Sequence, residues 1–157
     1  MSIKYIKQST VNRALRLHLR WLRNERHGKR LTVGLAISLK INWSKINLRY
    51  ANLRYANLSY ADLSYADLSS ADLRWVSTIN VEDLRVISCQ LNTSDQNRNI
   101  AYYPDLNLIT AGCFFGTLDE LKKRVEEVHK KDNPSIYAKY QAVFTFIETV
   151  LEIEKEE

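Results

Sequence analysis

A five-residue pattern of apolar and polar positions occupies the middle of the chain. Residues 46–75 divide into six consecutive pentads, INLRY, ANLRY, ANLSY, ADLSY, ADLSS and ADLRW. A small or branched residue stands at the first position of each pentad and a leucine at the third. Because a period of five fits neither a helix nor a flat strand, the backbone must turn at regular intervals. We expect the first and third positions to face the interior and the other three to face outward.

The segments before the pentads predict a helix and then a strand. Residues 11–26 place their apolar side chains on one helical face, and four arginines lie opposite. Ser9 or Thr10 would cap this helix. Apolar and polar residues alternate from Leu31 to Ile41, which is typical of a strand. The apolar face of the helix would cover the exposed end of the repeats, where unpaired backbone groups otherwise invite association.

Short strands are predicted after the pentads. Leucines disappear from the repeat near Val76. Leu84–Leu91, Asn99–Tyr103 and Leu106–Thr110 then have strand composition and are separated by turn residues. A small sheet is the expected arrangement.

Two helices are predicted at the end of the chain. Thr117 and Glu120 have the spacing of a capping box, and apolar residues follow at helical intervals. Asn133-Pro134 predicts the start of the second helix. Its apolar stripe would consist of Ile136, Tyr140, Val143, Phe144, Ile147 and Leu151. Packing in a core is the commoner origin of such a stripe, and binding to a partner is the alternative.

The pentads resemble the pentapeptide-repeat family, whose members wind a right-handed, four-sided β-helix with one pentad per side and about twenty residues per coil. Upstream, His18, Trp21, Leu22 and Gly28 are similar to the HxxWL-then-glycine segment of many bacterial and phage members. Downstream, the segment AGCFFGTLDEL at 111–121 resembles the helical tail of phage-type chains.

The resemblance implies a mainly β solenoid. The expected architecture is a right-handed, four-sided β-helix of about three coils, capped by the N-terminal amphipathic helix and followed by a small sheet and two helices. The corresponding divisions are a basic capping helix at 1–30, the repeats at 31–91, and C-terminal strands with a helical hairpin at 92–157.

Length and composition predict a globular chain. Its 157 residues are enough for one domain with appendages, and the mean hydropathy is −0.35. We find neither the apolar core of a signal peptide nor a run of about 20 apolar residues, so no membrane association is expected. Two cysteines favour a reducing cytoplasm, which would be the host cytoplasm if the chain is phage-encoded.

The charge is unevenly distributed. Residues 1–45 carry eleven Lys and Arg residues against the single acidic residue Glu25, whereas residues 76–157 carry nine basic and fourteen acidic residues. Such a basic end attracts anions, although uneven charge is also a common means of keeping a protein soluble. The arginines that would attract an anionic partner are Arg13, Arg16, Arg20 and Arg23.

Catalytic and metal-binding patterns are missing from the sequence. The histidines are scattered, His18 is expected to satisfy a buried hydrogen bond, and Cys113 to be a small buried apolar residue. No phosphate-binding or zinc-protease motif occurs, so we expect neither an enzyme nor a cofactor or metal. The spaced carboxylates Asp62, Asp67 and Asp72 would stack on asparagines twenty residues earlier, and we expect them to hydrogen-bond the corner backbone.

Stacking at twenty-residue intervals predicts one candidate binding patch. It would place Arg54 beside Arg74 and Tyr55 beside Trp75. Two arginines at the spacing of neighbouring strands repel each other unless they share an anion. Arginine with aromatic rings suits phosphates, bases and protein hot spots. The alternative is an exposed ladder whose arginines point into water.

The patch would be widened by further outward side chains. Arg49 and Tyr50 are included as binding residues. Tyr60 and Tyr65 extend the aromatic belt, but successive pentads encircle the coil rather than forming one face. Self-association, giving a homo-oligomer, would also account for some of these tyrosines.

Three functions follow from these features. The first is a non-enzymatic protein-binding module, such as a phage-encoded inhibitor of a host defence or nucleic-acid-processing factor. The alternative is a sequestering protein for a nucleotide or another small anionic ligand. Direct nucleic-acid binding ranks third, because no nucleic-acid-binding module is recognised. The DNA mimicry known in the wider family does not transfer, because residues 46–75 have three arginines and three aspartates and are neutral.

Overall fold

The structure is a computed structural model that describes residues 8–33, 42–93 and 96–156. The chain divides into two compact units, Met1–Leu84 and Arg85–Glu157. The three-segment division at residues 30 and 91 stays a prediction. Within the described ranges, no helix is both long and apolar enough to cross a membrane.

The pentads pair with each other through single residues rather than through strands. Parallel bridges join residues twenty positions apart, among them Asn47 with Asp67 and Asn52 with Asp72. The Leu48 N–H donates to the Asp67 carbonyl at 2.8 Å, and the Asp72 N–H donates to the Ala51 carbonyl at 2.9 Å. This is the spacing expected for a β-helix. Positions four and five of each pentad form a turn, so the described pentads contain no continuous strand.

The prediction of a mainly β chain is therefore wrong when helices and strands are compared, because the described helices contain more residues than the described strands. The described elements are helix α1 (Gln8–Leu22), strands β1 (Ile87–Thr93), β2 (Gln96–Tyr103), β3 (Leu108–Ala111) and β4 (Phe114–Gly116), and helices α2 (Leu118–His129) and α3 (Pro134–Glu156). The helices cover more residues than the strands because every side of the repeat is interrupted by a turn.

The leucines of the pentads form the core of the first unit. Leu48, Leu53, Leu58 and Leu73 are 0% exposed, and the alanines at the first position are mostly buried with them. The inward placement that the pattern predicts is thus observed. Trp43 is also buried, at 1% exposure. It stands five residues before Leu48 and occupies the position that leucine has in the later pentads. A pattern defined by leucine alone does not predict its burial.

Side chains at the second position fix the corners. The Asp67 carboxylate accepts the Ser69 N–H at 3.0 Å, and the Asn57 side chain accepts the Ser59 N–H at 3.0 Å. The same contact recurs at Asn42, Asn47, Asn52, Asp62 and Asp72. These contacts confirm that Asn and Asp hydrogen-bond the corner backbone. The fifth residue then adopts a positive φ, as at Tyr65 (59°), which residues other than glycine rarely do.

Helix α1 begins earlier than the sequence predicts. Because Gln8 is already helical, Ser9 and Thr10 lie within the first turn, and the prediction that one of them caps the helix is wrong. The helix buries Val11, Leu15 and His18. The strand predicted from Leu31 to Ile41 falls mostly on residues 34–41, which lie outside the described residues.

The turn after α1 is held by contacts with the helix itself. The Lys29 N–H donates to the Leu17 carbonyl at 2.9 Å. The Leu31 N–H donates to His18 Nδ1 at 3.1 Å, so the prediction that His18 satisfies a buried hydrogen bond is confirmed. His18 is 0% exposed and its ring stacks on Trp21. The histidine of the HxxWL segment therefore joins α1 to the chain that leads into the repeats, and the tryptophan packs on that histidine.

Acidification is expected to destabilise the first unit through His18. Burial lowers the pKa of His18, the nearby Arg49 backbone offsets part of this effect, and the charge of Arg30 lowers the pKa further. At a pH just below 6.5, the ordinary pKa of histidine, His18 takes up a proton in the unfolded chain but not in the folded one. The free energy of unfolding therefore decreases as the pH falls through that value. Denaturant titrations at two pH values on either side of it would measure the loss.

His18→Gln provides the matched comparison, because glutamine keeps an acceptor for Leu31 but does not titrate. This variant should lose less stability on acidification than the wild type. His27→Gln changes an exposed histidine and should retain the wild-type pH dependence. Identical pH dependence in the wild type and His18→Gln would contradict the assignment.

The second unit contains a four-stranded antiparallel sheet with the order β1-β2-β3-β4. Strand β4 was not predicted, because three residues are too short to show a period. Gly112 and Cys113 form the turn between β3 and β4, with Gly112 at a φ of 59°. Cys113 is exposed at this turn, so the prediction of a buried Cys113 is wrong: a two-residue turn holds its side chain outside the core.

The two C-terminal helices pack on each other and on the sheet. The predicted capping box is present: Thr117 Oγ1 accepts the Glu120 N–H at 3.2 Å, and the Glu120 carboxylate accepts the Thr117 N–H at 2.7 Å. Helix α3 starts at Pro134 as predicted. Its predicted stripe joins the core, with Tyr140, Val143, Phe144 and Ile147 buried and Ile136 and Leu151 partly buried.

Candidate binding surface on the repeats

The fourth and fifth residues of the pentads form the corners and carry outward side chains. The Tyr55 N–H donates to the Arg74 carbonyl at 3.1 Å, which brings these two corners together. The Tyr55 and Trp75 rings are stacked, with centroids 4.8 Å apart and planes within 3° of parallel. The structure thus places Arg54, Tyr55, Arg74 and Trp75 side by side, and we refer to these four residues as the Arg–Trp corner.

The Arg54 guanidinium lies over this aromatic pair. Its Cζ is 4.7 Å from the centroid of the Trp75 ring and 5.6 Å from that of Tyr55. Cation–π attraction favours this placement. The Arg54 side chain therefore lies over the rings and does not point into water, as it would in an exposed ladder. Arg54 Nε is buried and has no hydrogen-bond partner among the described residues. The corner therefore holds a half-buried cation with an unsatisfied donor.

Arg74 is bound by an aspartate of its own pentad. Its Nη2 lies 2.6 Å from Asp72 Oδ2, and its Nε donates to Asp72 Oδ1 at 2.9 Å. The two side chains are only 25% and 14% exposed. The repulsion expected between stacked arginines is thus relieved within the chain by Asp72, and an external anion is not needed for that purpose.

The charge state of Asp72 follows from this pairing. Partial burial raises its pKa, but the hydrogen bonds from Arg74 and the charges of Arg74 and Arg54 lower it more, and the pKa lies below its ordinary value. Asp72 therefore stays ionised at neutral pH. The Arg–Trp corner together with Asp72 carries one excess positive charge, which is associated with Arg54.

Arg49 and Tyr50 lie at a neighbouring corner. The Tyr50 N–H donates to the Ser69 carbonyl at 3.1 Å, so this corner stacks on the pentad that ends at Ser70 and not on Trp75. Arg49 Cζ is 5.7 Å from the Tyr50 ring centroid, and its Nε lies 3.8 Å from Asp67 Oδ2. The structure therefore separates these two predicted site residues from the stacked four.

The corner that follows the Arg–Trp corner in the chain adds exposed apolar surface. Tyr60 is 65% exposed and Ile79 is 64% exposed, and the Tyr60 N–H donates to the Ile79 carbonyl at 2.9 Å. Ile79 was not among the predicted site residues. The sequence offers one indication of it: Ile79 stands at the fourth position of its pentad, where the pentads of residues 46–75 have Arg or Ser. Tyr65, at the next corner, is 81% exposed.

The arginines of α1 are exposed, as the helical pattern predicts. Arg20 and Arg23, which follows the last residue of α1, share one acidic neighbour: Arg20 Nε and Arg23 Nη1 lie 3.5 and 3.7 Å from the Glu25 carboxylate. Arg13 and Arg16 form no ion pair within the described ranges. The unpaired positive charge of the helix is therefore concentrated in its second and third turns, at Arg13 and Arg16.

The spaced carboxylates do not converge. Asp62 and Asp67 pair with Asn42 and Asn47 across the parallel bridges, as the twenty-residue arithmetic predicts. Hydrogen bonds from the Ser64 hydroxyl and backbone lower the pKa of Asp62. No group of three metal-binding side chains occurs among the residues that the structure describes.

A comparison of the sequence with protein families agrees with the structure of the repeats, in which residues twenty positions apart pair, leucines are buried and Asn or Asp fixes the corners. Residues 44–77 match the family model of pentapeptide repeats in eight copies. The match supports the resemblance to pentapeptide-repeat proteins over this segment. It ends before the second unit, so the phage-type HxxWL segment and the C-terminal tail stay predictions. No curated protein and no solved structure matches the chain.

Proposed function

We propose that the chain is a non-catalytic protein-binding module that contacts its partner through the Arg–Trp corner. Pentapeptide-repeat proteins are generally protein-interaction modules, which supports the class of function. In this proposal the repeats form a right-handed, four-sided β-helix of about three coils, which serves as a rigid platform.

The observation that carries the proposal is the stacked cation at the surface. The Arg54 guanidinium lies over two aromatic rings, and Tyr55 remains 48% exposed. Trp, Tyr and Arg are the residues most enriched at energetically dominant positions of protein interfaces. Because stacking already fixes these side chains, little rotamer entropy is lost on binding.

The composition of the surface indicates the chemistry of the partner. Arg54 has one excess charge and an unsatisfied Nε, and the exposed Tyr60 and Ile79 lie at the following corner. A matching partner presents a carboxylate beside an apolar surface. Arg13 and Arg16 would accelerate the approach of such an acidic partner. Inhibition of a host factor by a phage-encoded chain in the host cytoplasm is the biological setting in which we place this interaction.

Sequestration of a nucleotide at the same corner is less well supported. Asp72 already neutralises Arg74, so a phosphate would meet one available guanidinium and a nearby carboxylate. A protein carboxylate requires only the single charge of Arg54. We therefore rank protein binding above nucleotide or nucleic-acid binding at this surface.

Affinity capture from bacterial lysate with matched variants tests the proposal. Arg54→Ala removes the stacked cation, and Arg74→Ala removes the paired one. Loss of a charge-assisted contact of about 1.5–3 kcal/mol should reduce capture of one dominant protein by roughly ten- to hundredfold in Arg54→Ala. Tyr65→Asn is the control, because it changes an exposed residue at another corner that already has a positive φ.

The proposal fails if no protein is enriched by the wild type, or if Arg54→Ala captures the same protein as well as the wild type does. Equal losses in Arg54→Ala and Tyr65→Asn would also contradict it, because the interaction would then not be located at the Arg–Trp corner. Thermal melts of Arg54→Ala and Tyr65→Asn should agree closely with that of the wild type, since surface substitutions usually change stability by no more than about 0.5 kcal/mol. Arg74→Ala should melt earlier, because it leaves the largely buried Asp72 carboxylate without its partner.

A further inference from the structure

A cleft in the second unit has the dimensions of a small-molecule site. It has a volume of about 570 Å³ and is bounded by the β3–β4 hairpin and by side chains of α2 and α3. Its described lining includes Arg98, Arg124, His129, Phe114, Phe115 and Tyr140. Ligand pockets typically occupy about 300–1,000 Å³. We infer that this Arg98–Arg124 cleft binds a small aromatic phosphate such as a nucleoside monophosphate.

The described lining of the cleft carries positive charge. None of the described lining residues is an aspartate or glutamate. Neither Arg98 nor Arg124 forms an ion pair within the described ranges of the chain. Two guanidinium groups match the two charges of a phosphate monoester, and each can donate two parallel hydrogen bonds to it.

Arg98 is positioned in advance of any ligand. Its Nε donates to Thr93 Oγ1 at 3.0 Å, which leaves the two terminal nitrogens for another acceptor. A Cβ at Gly112 would lie 2.7 Å from Arg98 Nη1, so the glycine allows the guanidinium to lie against the β3–β4 turn. Such preorganisation reduces the entropy lost on binding.

His129 adds an unsatisfied polar atom to the cleft. Its Nδ1 is buried and has no hydrogen-bond partner among the described residues. The ring stacks on Tyr140, with centroids 5.8 Å apart and planes within 11° of parallel. Buried polar atoms in folded proteins almost always have a partner. A hydroxyl or phosphate oxygen of the ligand would provide that partner.

The remaining walls suit a planar ring. Phe114 and Phe115 are half-buried and line the cleft together with Val125 and Ile136. Aromatic side chains stack favourably on the planar rings of bases. The apolar walls and the two arginines together favour a ligand that carries both a phosphate and an aromatic ring over inorganic phosphate alone.

Calorimetric titration of the full chain tests this inference with adenosine monophosphate, inorganic phosphate and adenosine as probes. We expect the monophosphate to bind at least tenfold more tightly than either fragment. Arg124→Gln should weaken its binding by tenfold or more. Because Arg124 is exposed on α2, this variant should melt like the wild type. Lys131→Gln removes an exposed charge outside the lining and is the matched control.

The inference would be overturned if the monophosphate did not bind at about 5 mM. It would also be overturned if inorganic phosphate or adenosine bound as tightly as the monophosphate. Equal affinities in Arg124→Gln and Lys131→Gln would contradict the assignment to this cleft. Arg54→Ala should leave monophosphate binding unchanged, so failure here is distinguishable from failure of the proposed protein-binding function.

Discussion

Leu58→Lys is expected to unfold the first unit. Leu58 is 0% exposed, and its side chain faces the leucine core of the repeats. A lysine there would bury an ammonium group with no partner, which costs several kcal/mol, in addition to the lost apolar burial. Domains are typically stable by only about 5–15 kcal/mol, so this loss is comparable with the whole stability of the unit.

Tryptophan fluorescence in a denaturant titration would measure the effect selectively. All three tryptophans, Trp21, Trp43 and Trp75, belong to the Met1–Leu84 unit. Leu58→Ala should give a smaller loss, of about 2–5 kcal/mol. Ser69→Lys places the same charge at an exposed position and should change little. A Leu58→Lys variant that melts within about a degree of the wild type would refute the inward placement.

Gly28→Ala is the second substitution for which we expect a large effect. A Cβ at Gly28 would lie 2.5 Å from Trp21 Cα and 2.7 Å from the Arg20 carbonyl carbon, and it would also overlap with Trp21 N. These are backbone atoms of α1 and cannot swing aside as a side chain could. Overpacking typically costs about 1–3 kcal/mol, and we expect a loss of about 3 kcal/mol here because the helix or the turn must move.

His27→Gly is the control within the same turn. His27 has a φ of 66°, a conformation that glycine adopts without a steric penalty. The control should therefore remain within about 1 kcal/mol of the wild type. The same fluorescence titration applies. If Gly28→Ala and His27→Gly had equal stabilities, the close packing of residue 28 on α1 would be wrong.

Features that depend on a local period could be predicted from the sequence. The leucine positions repeat every five residues and are buried as expected. The Thr117–Glu120 capping box and the start of α3 at Pro134 also follow from local signals. Each of these depends on residues that are a few positions apart, so the spacing alone fixes which groups meet.

Features that depend on side-chain competition or on packing between distant elements were not predicted. The twenty-residue spacing predicts that Arg74 lies beside Arg54. It does not show that Arg74 forms an ion pair with Asp72, two residues earlier in the chain. Strand β4 is too short to show a pattern, and the exposure of Cys113 depends on the turn between β3 and β4. The Arg98–Arg124 cleft requires the sheet and two helices to be assembled, so no sequence interval could reveal it.

Site-specific photo-crosslinking tests the central claim most directly, because it reports which corner of the repeats touches the partner. A benzophenone side chain would replace Tyr55 in the Arg–Trp corner or Tyr65 at another corner, each exposed at a position of positive φ. After irradiation in bacterial lysate, we predict a covalent adduct with one dominant protein from position 55 and little or none from position 65. Absence of an adduct at position 55, or equal adducts at both positions, would contradict binding through the Arg–Trp corner.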